Sequence, residues 1–514
     1  MSGYSQTIGV LDSAPSRSAV AEVTSLPALL LPAFGSVVFA VTLLQVLFLS
    51  QGAQGLFGDS DTGWHVRNGE AILSTGAVPR VDRFSYSREG REWFAWEWLS
   101  DIVLAGAHRA AGLPGVAFVA ALAIAMTAWG AARLCLSLGG NFFLTAGAMV
   151  LLLGTTSIHW LARPHVFSWL LGLLFLSIAE HERRSPGRAL YALPLLACLW
   201  ANLHGSFLLG PGILFIYAIG EWLDEERRRG NTGLRFAGAC LASLVATFVN
   251  PYGWRLHEHV IRYLDNEYLM NHIAEFRSFS FHSAGALYVE IFLLAAVLGA
   301  VALLWQRAYG PALLVFGMIH ISLYSARHLP TAAVLLLPLC VAALTRVAVE
   351  SGRMRSLLEY SERLVAIDRK IRGVVPMLVV LVATLAGLGA LADSGHVAFN
   401  ARKFPVAAAD FMEQQGLTGR VFAKDQWGGF LIYRFEGRRK VFVDGRSDFY
   451  GQDFLETYTQ VAEAKPGWNA VLERFDVRFV MAPPDNALAS ALQTGSAWKR
   501  IYADSVAAIF ERVG

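Results

Sequence analysis

The chain has 514 residues, 55% of them hydrophobic and 16% charged, with a mean hydropathy of +0.44, whereas a soluble globular domain carries roughly one-quarter charged residues. That composition is not that of a soluble enzyme and points to a membrane protein. The net charge is only +3, with Lys and Arg dispersed in short clusters between apolar runs, so no basic stripe follows a phosphate backbone and nucleic acid is not an expected partner.

Residues 1–26 hold one basic residue, Arg17, before an apolar run too long for the core of a signal peptide, which predicts a short cytoplasmic tail. A membrane-crossing helix needs about 20 mostly apolar residues, because each backbone amide must be satisfied within the segment. About eleven runs meet that test, over 28–50, 113–135, 142–158, 165–181, 189–203, 205–222, 233–250, 285–305, 310–326, 329–346 and 374–392. The pair flanking WANLHGSF has the look of broken helices. Asn202 and His204 within it read as interhelical hydrogen-bonding or lipid-headgroup groups. The expected transmembrane domain thus covers 27–395, with long external loops at 51–112 and 251–284.

Arg183, Arg184, Arg188, Arg227 to Arg229, Arg307 and the cluster from Arg346 to Arg372 fall on one face if the N-terminus is cytoplasmic. Arginines in short loops resist translocation, so the C-terminus is expected outside, as in a bacterial inner membrane. The four cysteines lie in or beside apolar segments at no metal-ligand spacing and read as small core residues.

The first external loop opens with Asp59, Asp61, His65 and Arg67 and later brings Asp82, Trp93, Trp96, Glu97 and Trp98. Carboxylates suit a hard divalent cation and arginine suits a phosphate, and none of these groups is needed for anchoring. Further on, TSIHWLARPH supplies Arg163 and His165, HIAEF supplies Glu275, and SARHLP supplies Arg327 and His328. From about residue 400 the composition becomes ordinary. VFA, GFLIYRF, KVFVDGR, VRFVMA and AAIFERV read as strands, alternating with helix-like PVAAADFMEQQ, FLETYTQVAEA and NALASALQT, which predicts an α/β domain over 400–514. Gly428 and Gly429 then read as a turn or bulge before a strand.

The element DTGWHVR with the later Gly76, Pro79 and Asp82, the HIAEF segment around Glu275, and DQWGGFLIY followed by RRKVFVDGR together resemble the catalytic subunit of oligosaccharyltransferases, within the GT-C superfamily of glycosyltransferases. The resemblance implies a polytopic α-helical fold with a small C-terminal extracytoplasmic α/β domain, and transfer of a sugar from a polyprenyl-phosphate-linked donor. It implies Asp61 as base, with Glu275 as the second catalytic acid. It also implies a divalent cation, Mg or Mn, near Asp59, Asp61 and Glu275, a donor phosphate held by His65, Arg67, Arg163, His165, Arg327 and His328, and a sugar or acceptor site at Trp96, Glu97, Asp425 and Trp427. Two departures stand out: TSIHWLARPH lacks the family's second set of acids, which weakens the case for the metal, and DQWGG lacks the paired tryptophan, so an acceptor other than a peptide sequon is expected.

Plainer roles exist for each group. Asp59 and Asp61 suit the start of a helix, Arg327 suits an interfacial position, Glu275 a solvated loop, and the loop tryptophans an interfacial belt. The competing functional class is a non-catalytic protein that binds or translocates a lipid-linked polysaccharide precursor.

Overall fold

A computed structural model describes residues 26–393 and 397–513; the expected tail falls almost wholly outside them. A helix stands at each expected span. Among the described residues seven, including Ala28–Phe48, Trp98–Ser137, Ala286–Trp305 and Ala326–Glu350, are long and apolar enough to cross a membrane, and three apolar ones, Ala189–Leu203, Thr232–Ala246 and Tyr309–Tyr324, are shorter. His165–Arg184 is long but ends in charge, with Glu180, Glu182, Arg183 and Arg184 in its last turns. The chain is a polytopic α-helical membrane protein with a small C-terminal α/β domain.

The segment around WANLHGSF is broken, as its sequence suggests. Leu193–Leu203 ends at His204, whose extended backbone (φ −161°, ψ 147°) is followed by the short 3-10 turn Gly205–Leu208 and then Leu209–Leu223. The second span begins earlier than its hydropathy indicates. Its helix starts at Trp98 and kinks at Gly112 (φ +61°) just ahead of Pro114, so the end of the first loop is helix too. The arginine-rich loops meet at one end of the bundle, where Arg184 donates to the carbonyls of Ser137 and Leu138, and Arg346 donates to Gln306.

At the opposite end the helices stop in 3-10 turns, Ser157–His159, Ala274–Phe276 and Ala326–His328. Above them lies the first-loop helix Asp61–Thr75 and, against it, the C-terminal domain. That domain has a four-stranded sheet of β1 (Arg420–Ala423), β2 (Val477–Ala482), β3 (Trp498–Ala503) and β4 (Ala508–Arg512) in the order β1-β2-β4-β3. β1 and β2 are parallel, and β4 runs antiparallel to both of its neighbours. Phe422, Phe442, Phe454 and Phe510 fill the space between the sheet and its helices.

Two predicted strands are absent. GFLIYRF lies in the helix Asp425–Arg434, because a short apolar run does not declare its period and here one face packs on the first-loop helix. KVFVDGR contributes only the bridges that Val441 makes with Ser85 and Val421. Strand β3, WKRIYA, lacks a clean alternation and went unpredicted. The glycines expected at a turn are instead a close helix approach. A Cβ on Gly63 would overlap the carbonyl of Gly429, and one on Gly429 would overlap the carbonyl of Ser60. Around this seam Arg67 donates to the carbonyl of Tyr433 at 2.8 and 3.1 Å, and His108 bridges Glu70 and the Tyr433 hydroxyl.

Gly429→Ala is therefore expected to destabilise the protein by about 1–3 kcal/mol through overpacking of this seam, seen as an earlier thermal unfolding transition in detergent. Gly238→Ala, at a helical site with open space around it, should leave the transition in place.

Candidate active site

The first-loop helix places its side chains by helical period. Asp61 is its first residue and His65 stands one turn on, on the same face, while Arg67 falls on the far side. Asp59, just ahead, accepts from the Asp61 backbone N–H through Oδ1 at 2.9 Å, so the helix-start role and a site role coexist in one carboxylate. The loop after the third span brings Arg163 to this helix end, and its guanidinium meets three acids. Nη1 lies 3.0 Å from Asp59 Oδ2 and 2.7 Å from Glu275 Oε1, and Nη2 lies 3.1 Å from Asp61 Oδ2. Glu275 arrives on its 3-10 turn, whose carbonyl takes a hydrogen bond from Ser325 Oγ in the next loop at 3.1 Å. Arg327, on that loop, lies 4.7 Å over the Phe276 ring and has no carboxylate partner among the described residues.

These groups line one open cavity of about 680 Å³ between the bundle end and the C-terminal domain. Asp59, Asp61, Arg163, His165, Glu275 and Arg327 reach it, as do Trp96, Glu97 and Asp425. Its walls carry further aromatics, Trp64, Trp93, Tyr263 and Tyr268 among them. Gly445 closes over Asp61 so tightly that a Cβ would collide with the carboxylate.

Four expected site residues do not reach the cavity. Arg67 is committed to Glu70 at 2.7 Å and to the Tyr433 carbonyl, because a two-residue step on a helix turns the side chain through about 200°. His65 is sealed beneath the surface, its Nδ1 2.6 Å from Asp101 Oδ1 and its Nε2 3.8 Å from Glu97 Oε2. His328 points elsewhere than Arg327, since neighbours on a 3-10 turn diverge by about 120°. Trp427 is buried in the domain core, with Nε1 donating to the Lys403 carbonyl at 3.1 Å.

Other cavity residues escaped the sequence reading. Asp444 and Arg446 form a fully buried fork, 2.7 and 2.8 Å, which Asp82 of the first loop completes at 2.9 Å from Nη2. Trp93 packs against the guanidinium, 4.5 Å from its centre to the ring. The signal available was an acid and an arginine flanking glycine within the apolar run KVFVDGR. His204, read as an interhelical hydrogen-bonding or lipid-headgroup residue, lines the cavity with Nε2 3.4 Å from Glu97 Oε1. Asp448, with His259 Nε2 at 3.0 Å, and Lys403, which donates to the Gly58 carbonyl, complete the polar rim.

Burial, then Asp59, push the Asp61 carboxyl well above its usual range, with Arg163 opposing. Burial acts the same way on Glu275, but Arg163, His159 and Arg327 outweigh it and hold that group fully ionised. Burial lifts Glu97 to about 7, against the pull of His65, and drops His65 to about 3.

A divalent cation among Asp59, Asp61 and Glu275 does not fit these residues. One oxygen of each acid lies against the Arg163 guanidinium, the second oxygen of Asp59 accepts from the Asp61 amide, and no group of three or more side chains that could hold a metal occurs among the described residues.

This architecture, a bundle whose polar loop end is roofed by a small α/β domain, is that of a polytopic α-helical membrane protein. No protein-family model matches the sequence, and no curated protein matches it. Among solved structures the fold is similar to the archaeal oligosaccharyltransferase AglB from Archaeoglobus fulgidus, in complex with an inhibitory peptide and a dolichol-phosphate. That match has 12% identity and a TM-score of 0.55, over 93% of this chain and 74% of the other. A complex of the Archaeoglobus fulgidus oligosaccharyltransferase with Zn and sulfate matches at 12% identity and a TM-score of 0.52, over 87% and 68%. ArnT from Cupriavidus metallidurans bound to undecaprenyl phosphate has 15% identity and a TM-score of 0.47, over 93% and 96%.

Glu97 gives a pH dependence. Its folded pKa lies above the ordinary 4.5, so it contributes stability that is complete below about pH 4.5 and lost as pH rises through about 7. His65 contributes in the opposite sense, its share falling away as pH drops below about 6.5. Subtracting the two proteins isolates Glu97: the difference in unfolding temperature between wild type and Glu97→Gln should shift against the wild type from pH 4.5 to 7. A pH-independent difference would show that Glu97 titrates normally.

Proposed function

We propose that the protein is a membrane glycosyltransferase that moves a sugar from a polyprenyl-phosphate-linked donor to an extracytoplasmic acceptor. The observation that carries this reading is the convergence of Asp61, Glu275 and Arg327, from three segments far apart in sequence, on one aromatic-walled cavity at a single end of the bundle. Acids that accept hydrogen bonds beside aromatic rings suit a sugar, and an arginine left without a carboxylate suits a phosphate. The fold shared with an oligosaccharyltransferase solved with a dolichol-phosphate supports a lipid-phosphate donor. The arginine-rich loops at the opposite end support a cytoplasmic N-terminus and a C-terminal domain outside a bacterial inner membrane.

In the proposed step the acceptor hydroxyl attacks the anomeric carbon, and the bond from that carbon to the phosphate oxygen breaks. The electron pair leaves with the lipid phosphate, and the hydroxyl proton passes to Asp61. A carboxylate whose proton affinity burial has raised is a stronger base for that proton than one in water. Arg327 faces the charge that develops on the departing phosphate, with His165 and one edge of Arg163 beside it, and Trp96, Glu97 and Asp425 hold the sugar or acceptor. The burial of Trp427 leaves no paired-tryptophan grip for a peptide, in keeping with another kind of acceptor.

With a panel of short-chain polyprenyl-phosphate sugars, Asp61→Asn should abolish transfer while its unfolding transition stays that of a folded protein. Arg327→Ala should lower kcat by about 10²–10³, the loss typical of one preorganised donor to a transition-state oxyanion. Full activity of Asp61→Asn removes its role as base. A wild-type protein that binds lipid-linked sugars and transfers none belongs to the binding or translocation class instead.

A further inference from the structure

We infer that Arg163 serves as a built-in cation at the centre of this site, standing where the carboxylates of Asp59, Asp61 and Glu275 would otherwise hold a divalent metal ion. The inference rests on the proposed transfer reaction for what the site does, and on geometry alone for how the site is built.

Three carboxylates from two loops do not gather in a half-buried cavity unless a cation compensates them, because each stripped charge costs several kcal/mol when unpaired. Mg or Mn would take oxygens at about 2.0–2.2 Å in a near-octahedral shell. Here one oxygen of each acid instead lies 2.7 to 3.1 Å from a guanidinium nitrogen, at hydrogen-bond length. Asp59 has nothing left to give, since its second oxygen receives the Asp61 amide. A metal that drew on all three acids would have to displace Arg163 or the Asp61 amide from Asp59.

The alternative is an ordinary ion-pair network that happens to lie in a cavity. Two features separate the cases. Arg163 joins three acids at once, two on the first loop and one 112 residues beyond Arg163 itself, so it organises the site as a polydentate centre does. The second guanidinium, Arg327, has no carboxylate partner among the described residues and stands within electrostatic reach of Glu275, so the cavity contains its own positive charge for a phosphate without any exogenous ion. A guanidinium fixed by three acids is permanently charged and does not exchange, so the site should be independent of divalent cations.

The full-length protein in detergent can be titrated with Mn²⁺, with bound ion read by electron paramagnetic resonance and stability by thermal unfolding, in the presence and absence of EDTA. The wild type is expected to bind no Mn²⁺ and to unfold at the same temperature with either. Arg163→Ala uncovers the three carboxylates and is expected to bind about one equivalent of Mn²⁺, which raises its unfolding temperature by several degrees; adding Glu275→Gln should abolish both effects. Stoichiometric Mn²⁺ on the wild type, lost in Glu275→Gln, would overturn the inference, as would a folded Arg163→Ala protein that binds none. If Arg163→Ala cannot be obtained folded, the wild type against Glu275→Gln decides. Because bound Mn²⁺ is the readout, failure to transfer any sugar would remove the proposed reaction without touching this inference, and Mn²⁺ on the wild type would do the reverse.

Discussion

The contact of Arg163 with Asp59, Asp61 and Glu275 is the constraint on which the working end of the molecule depends. Each acid is too enclosed to be left unpaired, and the guanidinium is too enclosed to be left without acids. Removing one member of such a network leaves uncompensated charge behind, at roughly 3–5 kcal/mol when the site is fully buried. The consequence is geometric as much as energetic. The start of the first-loop helix, the loop after the third span and the 3-10 turn at Glu275 are held in mutual register by one planar group.

A polar chamber can sit at the edge of a bilayer only where non-helical backbone lines a cavity instead of lipid. The fold meets that condition by ending several helices in short 3-10 turns at the same level: Ser157–His159, Gly205–Leu208, Ala274–Phe276 and Ala326–His328. In or next to each turn lies a residue of the chamber: His159, His204, Glu275 and Arg327. The C-terminal domain then forms the roof. Its helix Asp425–Arg434 approaches the first-loop helix across Gly63 and Gly429, and the Asp444–Arg446–Asp82 fork joins the two sides again beneath Trp93. The domain is therefore part of the site, since Asp425, Gly445 and Asp448 line the chamber and Gly445 abuts Asp61.

What the sequence made legible follows from which signals are local. Long apolar runs declare their helices because the bilayer tolerates nothing else, and charged residues at their ends stand out against that background. For this reason Asp59, Asp61, Arg163 and Arg327 could be picked out, whereas Glu275, inside a long polar loop, is marked only by the family resemblance; all five meet in space. Direction is harder to read. Asp61, His65 and Arg67 look like one cluster in a string, but helical phase sends Arg67 to Tyr433, and burial closes His65 off behind Glu97. The C-terminal domain hides more, since GFLIYRF is apolar on too short a run to declare a helix, and the Asp444–Arg446 fork becomes meaningful only once Asp82 is known to face it.

The two arginines of the chamber divide between them the tasks a positive charge can perform. Arg163 donates to Asp59 and Glu275, pairs with Asp61, and is largely spent on holding them. Arg327 rests on the face of Phe276, a contact that orients a guanidinium without neutralising it. Phe276 follows Glu275 on the same turn, and that turn's carbonyl is bonded by Ser325, two residues before Arg327. The uncommitted charge is thereby tied to the committed one through Glu275, the Ser325 hydroxyl and the short stretch from Ser325 to Arg327. A shift of the Glu275 turn would move both guanidinium groups together, because the ion pair to Arg163 and the hydrogen bond from Ser325 both end on Glu275.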